Sequence, residues 1–118
     1  MTEFSLTDEE VDSRTHVIAL KGEVDLATAP EFKRRLHALI DSGKTGIVVD
    51  LGEVSFIDST ALGVLIGALR KLGPAGGSLA LVCTDPNILG IFEVTGLDRI
   101  LEVHQSRADA LAAVQAPA

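Results

Sequence analysis

The residues best placed to do chemistry lie in one short segment, Phe56-Ile57-Asp58-Ser59-Thr60-Ala61-Leu62-Gly63. An Asp just before an apolar helical repeat can cap the helix, its carboxylate accepting from backbone N–H groups in the first turn. Ser59 then stands at the helix start, with its hydroxyl near open amides. Those amides and the helix dipole favour an anion. A phosphate ester on Ser59 would add about −1.5 to −2 charge. An exposed helix end would favour it by about 0.3–1 kcal/mol, while the Asp58 carboxylate opposes it. Such a modification is tolerated by the helix and felt by a docked surface, through repulsion and desolvation. Thr60 is a second hydroxyl and the lesser candidate. Ala61 and Gly63 are small, so another surface can come close. Gly63 costs about 1 kcal/mol relative to Ala inside a helix, and either close helix–sheet packing or clearance around Ser59 accounts for it.

A second carboxylate belongs with this segment. Asp25, like Asp58, follows a strand-like stretch and precedes a helix. In a parallel sheet the C-terminal ends of the strands share one edge, so both can face one surface. For Asp25 a turn role and a functional role stand level; for Asp58 capping and function can hold together. Enzyme signatures are absent. There is no GxxxxGK[ST] loop, no GxSxG elbow and no HExxH spacing,. Gly73-Pro74-Ala75-Gly76-Gly77 follows a helix rather than a strand and reads as a turn. His16, His37 and His104 fall in different elements, and no metal site is expected. Cys83 sits in the apolar run Leu79–Cys83 and reads as a small buried strand residue.

The bulk composition sets the frame. The chain has 118 residues, 47% hydrophobic and only 3% aromatic, with a net charge of −7. One domain over residues 1–118 is expected, ordered over about 4–114. Its core must come from Leu, Val, Ile and Ala, with Phe4, Phe32, Phe56 and Phe92 as the large pieces. The acidity and the lack of a basic stripe argue against nucleic acid and for protein partners with basic surfaces. No apolar run approaches the roughly 20 residues that span a membrane, no signal peptide is evident, and the single cysteine fits a reducing compartment. A cytoplasmic monomer is the expectation.

The elements that must position the site read as follows. Phe4–Val11 and His16–Leu20 form an antiparallel hairpin, with Asp8-Glu9-Glu10 and Asp12-Ser13-Arg14 as its turn region. Thr28 is an N-cap, with Pro30 in the first turn and Glu31 completing a capping box. Phe32, Leu36, Leu39 and Ile40 share one helical face, and Gly43 stops the helix. Ile47–Leu51 is a buried strand. Leu62, Leu65, Ile66 and Leu69 repeat at helical spacing, ending near Leu72 before Gly73-Pro74. A loop at Gly76-Gly77 leads to a strand over Leu79–Cys83. Asp85 caps a helix begun by Pro86 that carries Ile88, Leu89, Phe92 and Val94 and stops at Gly96. Ile100–Val103 is a last strand. Ser106-Arg107-Ala108-Asp109 starts a final helix, and Gln115–Ala118 frays. After the hairpin, strand and helix alternate, which argues for an α/β sheet with packed helices.

At this point the residues carry a resemblance. Asp58-Ser59-Thr60-Ala61-Leu62-Gly63 after Phe56-Ile57 is similar to the signature of STAS domains, in the anti-sigma factor antagonist family. Leu20-Lys21-Gly22-Glu23-Val24-Asp25 resembles the family's Gly-Glu-[Leu/Val/Ile]-Asp motif. Ile47–Leu51 resembles its central strand, and Phe92-Glu93-Val94-Thr95-Gly96-Leu97 its helix-end turn. The ordered set spans nearly the whole chain.

The resemblance implies a mostly parallel β-sheet with an N-terminal antiparallel strand and about four helices, largely on one side. It implies a non-enzymatic switch. The unphosphorylated antagonist binds an anti-sigma factor that is also a serine kinase and frees a sigma factor. The kinase phosphorylates the antagonist with its own ATP, so no cofactor is expected here, and a serine phosphatase reverses the step. Ser59 matches the phosphoacceptor and Asp58 the acidic residue used in kinase recognition. Asp25 matches the aspartate of the partner-binding edge, and Leu62 and Gly63 the docking helix surface, beside Thr60. Thr60 and Ala61 stand where Ser and Gly are common, which opens kinase specificity. The absence of a transmembrane part speaks against the STAS domains of anion transporters. Two rival expectations remain: an unphosphorylated structural STAS subunit of a larger transport or stress-signalling complex, and a small hydrolase or nucleotide-binding protein using Asp25 and Asp58.

Overall fold

A computed structural model describes residues 3–115. The chain runs β1 (Ser5–Glu10), β2 (Thr15–Val24), α1 (Ala29–Asp41), β3 (Gly46–Ile57), α2 (Ser59–Leu72), β4 (Ser78–Val82), α3 (Pro86–Thr95), β5 (Glu102–His104) and α4 (Arg107–Gln115). The strands form one five-stranded sheet in chain order. β1 pairs antiparallel with β2, and the other pairs are parallel.

Side-chain alternation along the strands divides the core in two. Ile18, Leu20, Ile47, Val49, Leu51, Leu79 and Leu81 face the side on which α1, α2 and α3 lie, and pack with Phe32, Leu36, Leu65, Ile88 and Phe92. Val17, Val48, Ala80 and Val82 face the other side and pack against Ala110 and Val114 of α4. Three helices thus cover one face and one helix covers part of the other. Burial on both faces explains why the central strands read as continuous apolar runs.

Several local expectations need correction. Asp8, Glu9 and Glu10 belong to β1 itself, opposite Ile18, Val17 and His16. A run of acids looks like a turn when read locally, yet cations reach these side chains from elsewhere. Asp8 accepts from His16 Nε2 at 2.8 Å and pairs with Arg35 of α1. Lys44 donates to Glu10 at 2.9 Å and holds that carboxyl below its ordinary range. The turn is confined to the residues after β1, where the Asp12 carboxylate accepts from the N–H groups of Arg14 and Thr15, both at 2.8 Å. β3 runs on to Ile57, well beyond Leu51. Val94 does not join the apolar face of α3; it is 88% exposed, and Ile100 precedes β5 and is 53% exposed.

Gln115 is the last residue of α4 and donates to Asp12 at 3.3 Å; the rest of the expected frayed tail lies outside the described residues. The stops at Gly43 and Gly96 hold, both with positive φ. Ser106 accepts from the Asp109 N–H at 3.1 Å, as a cap of α4 should.

Gly77 sets how closely the α2–β4 connection packs. Its N–H donates to Leu72 O at 2.8 Å, and the next N–H, of Ser78, donates to Thr45 O at 2.7 Å. A Cβ at Gly77 would stand 2.8 Å from Thr45 O and 2.8 Å from Leu72 Cδ2. One at Gly67 would meet nothing within 4 Å. Chemical denaturation should therefore show Gly77→Ala destabilising by about 1–3 kcal/mol. Gly67→Ala should stabilise by up to about 1 kcal/mol. Equal effects at the two positions would contradict this packing.

Candidate functional site

The parallel register brings Val24 of β2 opposite Ile57 of β3. The next residue on each strand is an aspartate. Asp25 and Asp58 therefore emerge side by side at one edge of the sheet, as the sequence suggested they could.

Asp58 links the two segments. Its Oδ1 accepts from the N–H groups of Thr60 at 2.9 Å and Ala61 at 3.1 Å, capping α2 as expected. Its Oδ2 accepts from the Leu26 N–H at 3.0 Å, in the loop between β2 and α1. Its own N–H donates to Val24 O at 3.2 Å. One carboxylate thus starts the helix and holds the neighbouring loop.

Asp25 is organised differently. Its Oδ1 accepts from the N–H groups of Ala27 at 3.0 Å and Thr28 at 3.2 Å. The Thr28 hydroxyl accepts from the Asp25 N–H and donates to Glu23 O, both at 2.9 Å. This corrects the expected capping box. Thr28 precedes α1 but makes no side-chain cap bond, because its hydroxyl is held back in the Asp25 turn. The loop reading of Asp25 is thus real. Its Oδ2 takes no hydrogen bond among the described residues, so the carboxylate also keeps an acceptor for something outside.

Ser59 is the first residue of α2 and is exposed, while Thr60 is half-buried. The first-turn amides are less open than the sequence suggested. Asp58 takes those of Thr60 and Ala61, and the Leu62 N–H donates to Asp58 O at 3.2 Å. The Ser59 N–H itself is left without a partner among the described residues. Ala61 and Leu62 turn into the core. Leu62 therefore anchors the helix from below rather than presenting a surface. Gly63 is exposed, and a Cβ there would meet nothing within 4 Å. Close internal packing does not explain this glycine.

Two apolar side chains stand out on this edge. Leu26 carries no functional signal in the sequence. Phe56 is expected there as a large core piece, but its strand position turns it to solvent. Leu26 is 74% exposed and Phe56 is 49% exposed. Phe56 lies opposite Glu23 in the β2–β3 register. Away from this edge, Cys83 is buried and its thiol is pushed up by burial, so it is not a ready nucleophile. The histidines stand apart, in β2, α1 and β5.

The double duty of Asp58 has a measurable signature. Asp58→Ala should destabilise by about 0.5–2 kcal/mol through the lost cap. Asn caps nearly as well as Asp, so Asp58→Asn should keep most of that stability. Its single carbonyl oxygen cannot serve both sides, so amide exchange at Leu26 should speed up in both variants. Unchanged exchange at Leu26 in both would refute the link between loop and helix.

The fold and edge have counterparts in known proteins. The STAS domain family model matches residues 7–110. The anti-sigma-B factor antagonist of Listeria monocytogenes is 39% identical over 101 residues, covering 84% of this chain and 87% of that protein. Among solved structures, an anti-sigma factor antagonist from Mycobacterium paratuberculosis superposes with a TM-score of 0.88 at 29% identity, covering 97% of this chain and 96% of the other. The Bacillus cell fate determinant SpoIIAA in its phosphorylated form superposes with a TM-score of 0.73 at 25% identity, covering 96% and 100%. With the ordered motifs, the five-stranded sheet and the paired aspartates, these matches place the chain in the STAS domain family, among the anti-sigma factor antagonists.

Proposed function

We propose that this protein is a phosphorylation-controlled partner switch. Its unphosphorylated form binds an anti-sigma factor that is also a serine kinase, and a sigma factor is thereby released. Phosphorylation of Ser59 ends binding, with ATP supplied by the kinase, and a serine phosphatase restores the active form. The exchange takes place in the cytoplasm without direct contact to nucleic acid. No helix among the described residues is long and apolar enough to cross a membrane.

The observation that carries this reading is an exposed serine at the first position of α2, directly after the capping Asp58 and one turn before the exposed Gly63. The hydroxyl is accessible to a kinase. The backbone around it is tied by the Asp58 hydrogen bonds to Leu26, Thr60 and Ala61. A phosphate there need not unfold the helix, since the cap is made by Asp58. It would instead bring about −1.5 to −2 charge and three acceptor oxygens into a contact built for a hydroxyl. That SpoIIAA has been solved in a phosphorylated form supports modification as a property of this group of proteins.

Incubation of the protein with the purified anti-sigma factor kinase of the same genome and ATP should place one phosphate on Ser59 by mass spectrometry. Ser59→Ala should abolish it; equal labelling of that variant, at Thr60 or elsewhere, would refute the site. Ser59→Asp should weaken kinase binding by about tenfold or more, while the melting temperature stays near wild type. Gly63→Ala tests the docking surface separately. It should raise helix stability by up to about 1 kcal/mol and still weaken kinase binding. Unchanged affinity would mean that the partner does not approach α2 at Gly63.

A further inference from the structure

We propose that Leu26 is the apolar anchor of the partner-binding edge, beside the Asp25 carboxylate that the family resemblance already places there, and that Asp58 is the residue that positions Leu26. The partner surface that fits is an apolar socket rimmed by Lys and Arg. This inference rests on the partner-switch reading and names the chemistry of the partner's face.

A single exposed leucine ordinarily needs no explanation. Leu26 differs in how it is held. Its N–H donates to Asp58 Oδ2 at 3.0 Å. The preceding residue sits in a turn closed by the Asp25 carboxylate and the Thr28 hydroxyl. The side chain is nonetheless 74% exposed. The loop thus holds the backbone of Leu26 in place and leaves its side chain in water, where it gains nothing for the fold. Fixed apolar anchors are what binding hot spots use, because little ordering entropy is lost on docking. Phe56 adds a second apolar surface on the same edge.

Charge identifies the occupant. Residues 22–32 and 54–69, which build this edge, include Glu23, Asp25, Glu31 and Asp58 and no Lys, Arg or His, although the chain has 10 Lys and Arg. Apolar anchors among carboxylates are a poor match for an anionic lipid surface, which attracts basic segments. They match a protein face that is apolar at its centre and basic at its rim. The carboxylates are not equivalent. Asp58 has both oxygens engaged inside the protein. Asp25 Oδ2 has no partner among the described residues. A cation of the partner therefore meets Asp25, and Asp58 contributes by setting where Leu26 stands.

The test uses the intact protein and the same purified kinase, with binding kinetics at low and high salt. Leu26→Ala should weaken binding by about tenfold or more with an unchanged melting temperature. Asp25→Asn should slow association and flatten its salt dependence, leaving amide exchange at Leu26 as in wild type. Asp58→Asn should weaken binding together with faster exchange at Leu26. Binding of Leu26→Ala within about twofold of wild type would overturn the anchor. Weakened binding by Asp58→Asn with unaltered exchange at Leu26 would overturn the positioning role. Either result leaves the phosphorylation switch standing. Failure of the unmodified wild type to bind the kinase would overturn the switch reading and this inference with it.

Discussion

The carboxylate of Asp58 is the constraint on which the edge of this protein depends. Two chain segments that are 32 residues apart meet on its two oxygens. Oδ1 starts α2, and Oδ2 holds the loop that leads into α1. The arrangement is possible because β2 and β3 are parallel and in a register that ends at Val24 opposite Ile57. An antiparallel pairing would send the two following loops to opposite ends of the sheet. The register brings the loops together, and the carboxylate then fixes their separation. Ser59, Asp25 and Leu26 are consequently one surface, and none of them is placed by its own side-chain packing.

The rest of the fold is arranged so that this edge is left clear. α1 to α3 seal one face of the sheet, and α4 closes the other over β3 and β4. The exposed outer strand, β1, is lined with acids. Asp8 and Glu10 are tied by His16, Arg35 and Lys44 to the strand and helix beside them. Charge on an edge strand discourages pairing with another chain, and here the charges also dock β1 to α1. Each individual ion pair is worth little where it is exposed. Their combined effect is geometric: Arg35, Lys44 and Arg107 are drawn to the acids of β1, while residues 22–32 and 54–69 carry no Lys or Arg. The edge that bears Ser59 is left acidic by that segregation.

What could be read from the sequence was local. The cap at Asp58, the cap at Asp85 with its bond from the Asn87 N–H, and the stops at Gly43 and Gly96 all rest on interactions within a few residues. Apolar spacing also gave α2 its correct limits. What could not be read depends on partners far along the chain. Asp8–Glu10 has a turn's composition, and it is pairing with β2, with His16, Arg35 and Lys44 meeting the carboxylates, that makes it a strand. Thr28 has a cap's position, but Asp25 and Glu23 claim its hydroxyl. Gly63 left two explanations open until its surroundings showed empty space. Leu26 is invisible in sequence because nothing about one leucine says that it will be held out in solvent. The same holds for the bond from its N–H to Asp58.

The segregation of charge sharpens what a phosphate on Ser59 can do in the proposed switch. The edge is already acidic, so the partner it suits is basic. A phosphate adds charge of the sign that such a partner attracts. Long-range electrostatics would then favour encounter of the phosphorylated form, not oppose it. Loss of binding must arise at contact. There, a hydroxyl beside an outward-facing glycine is replaced by a bulky dianion with neighbouring amides already taken by Asp58. On this protein the Ser59 N–H alone remains to meet it, so the phosphate finds almost no donor on its own side of the contact. A switch of this kind acts on how long the complex lasts more than on how often it forms. The internal cap that makes the helix indifferent to the phosphate is also what denies the phosphate the first-turn amides of Thr60 and Ala61.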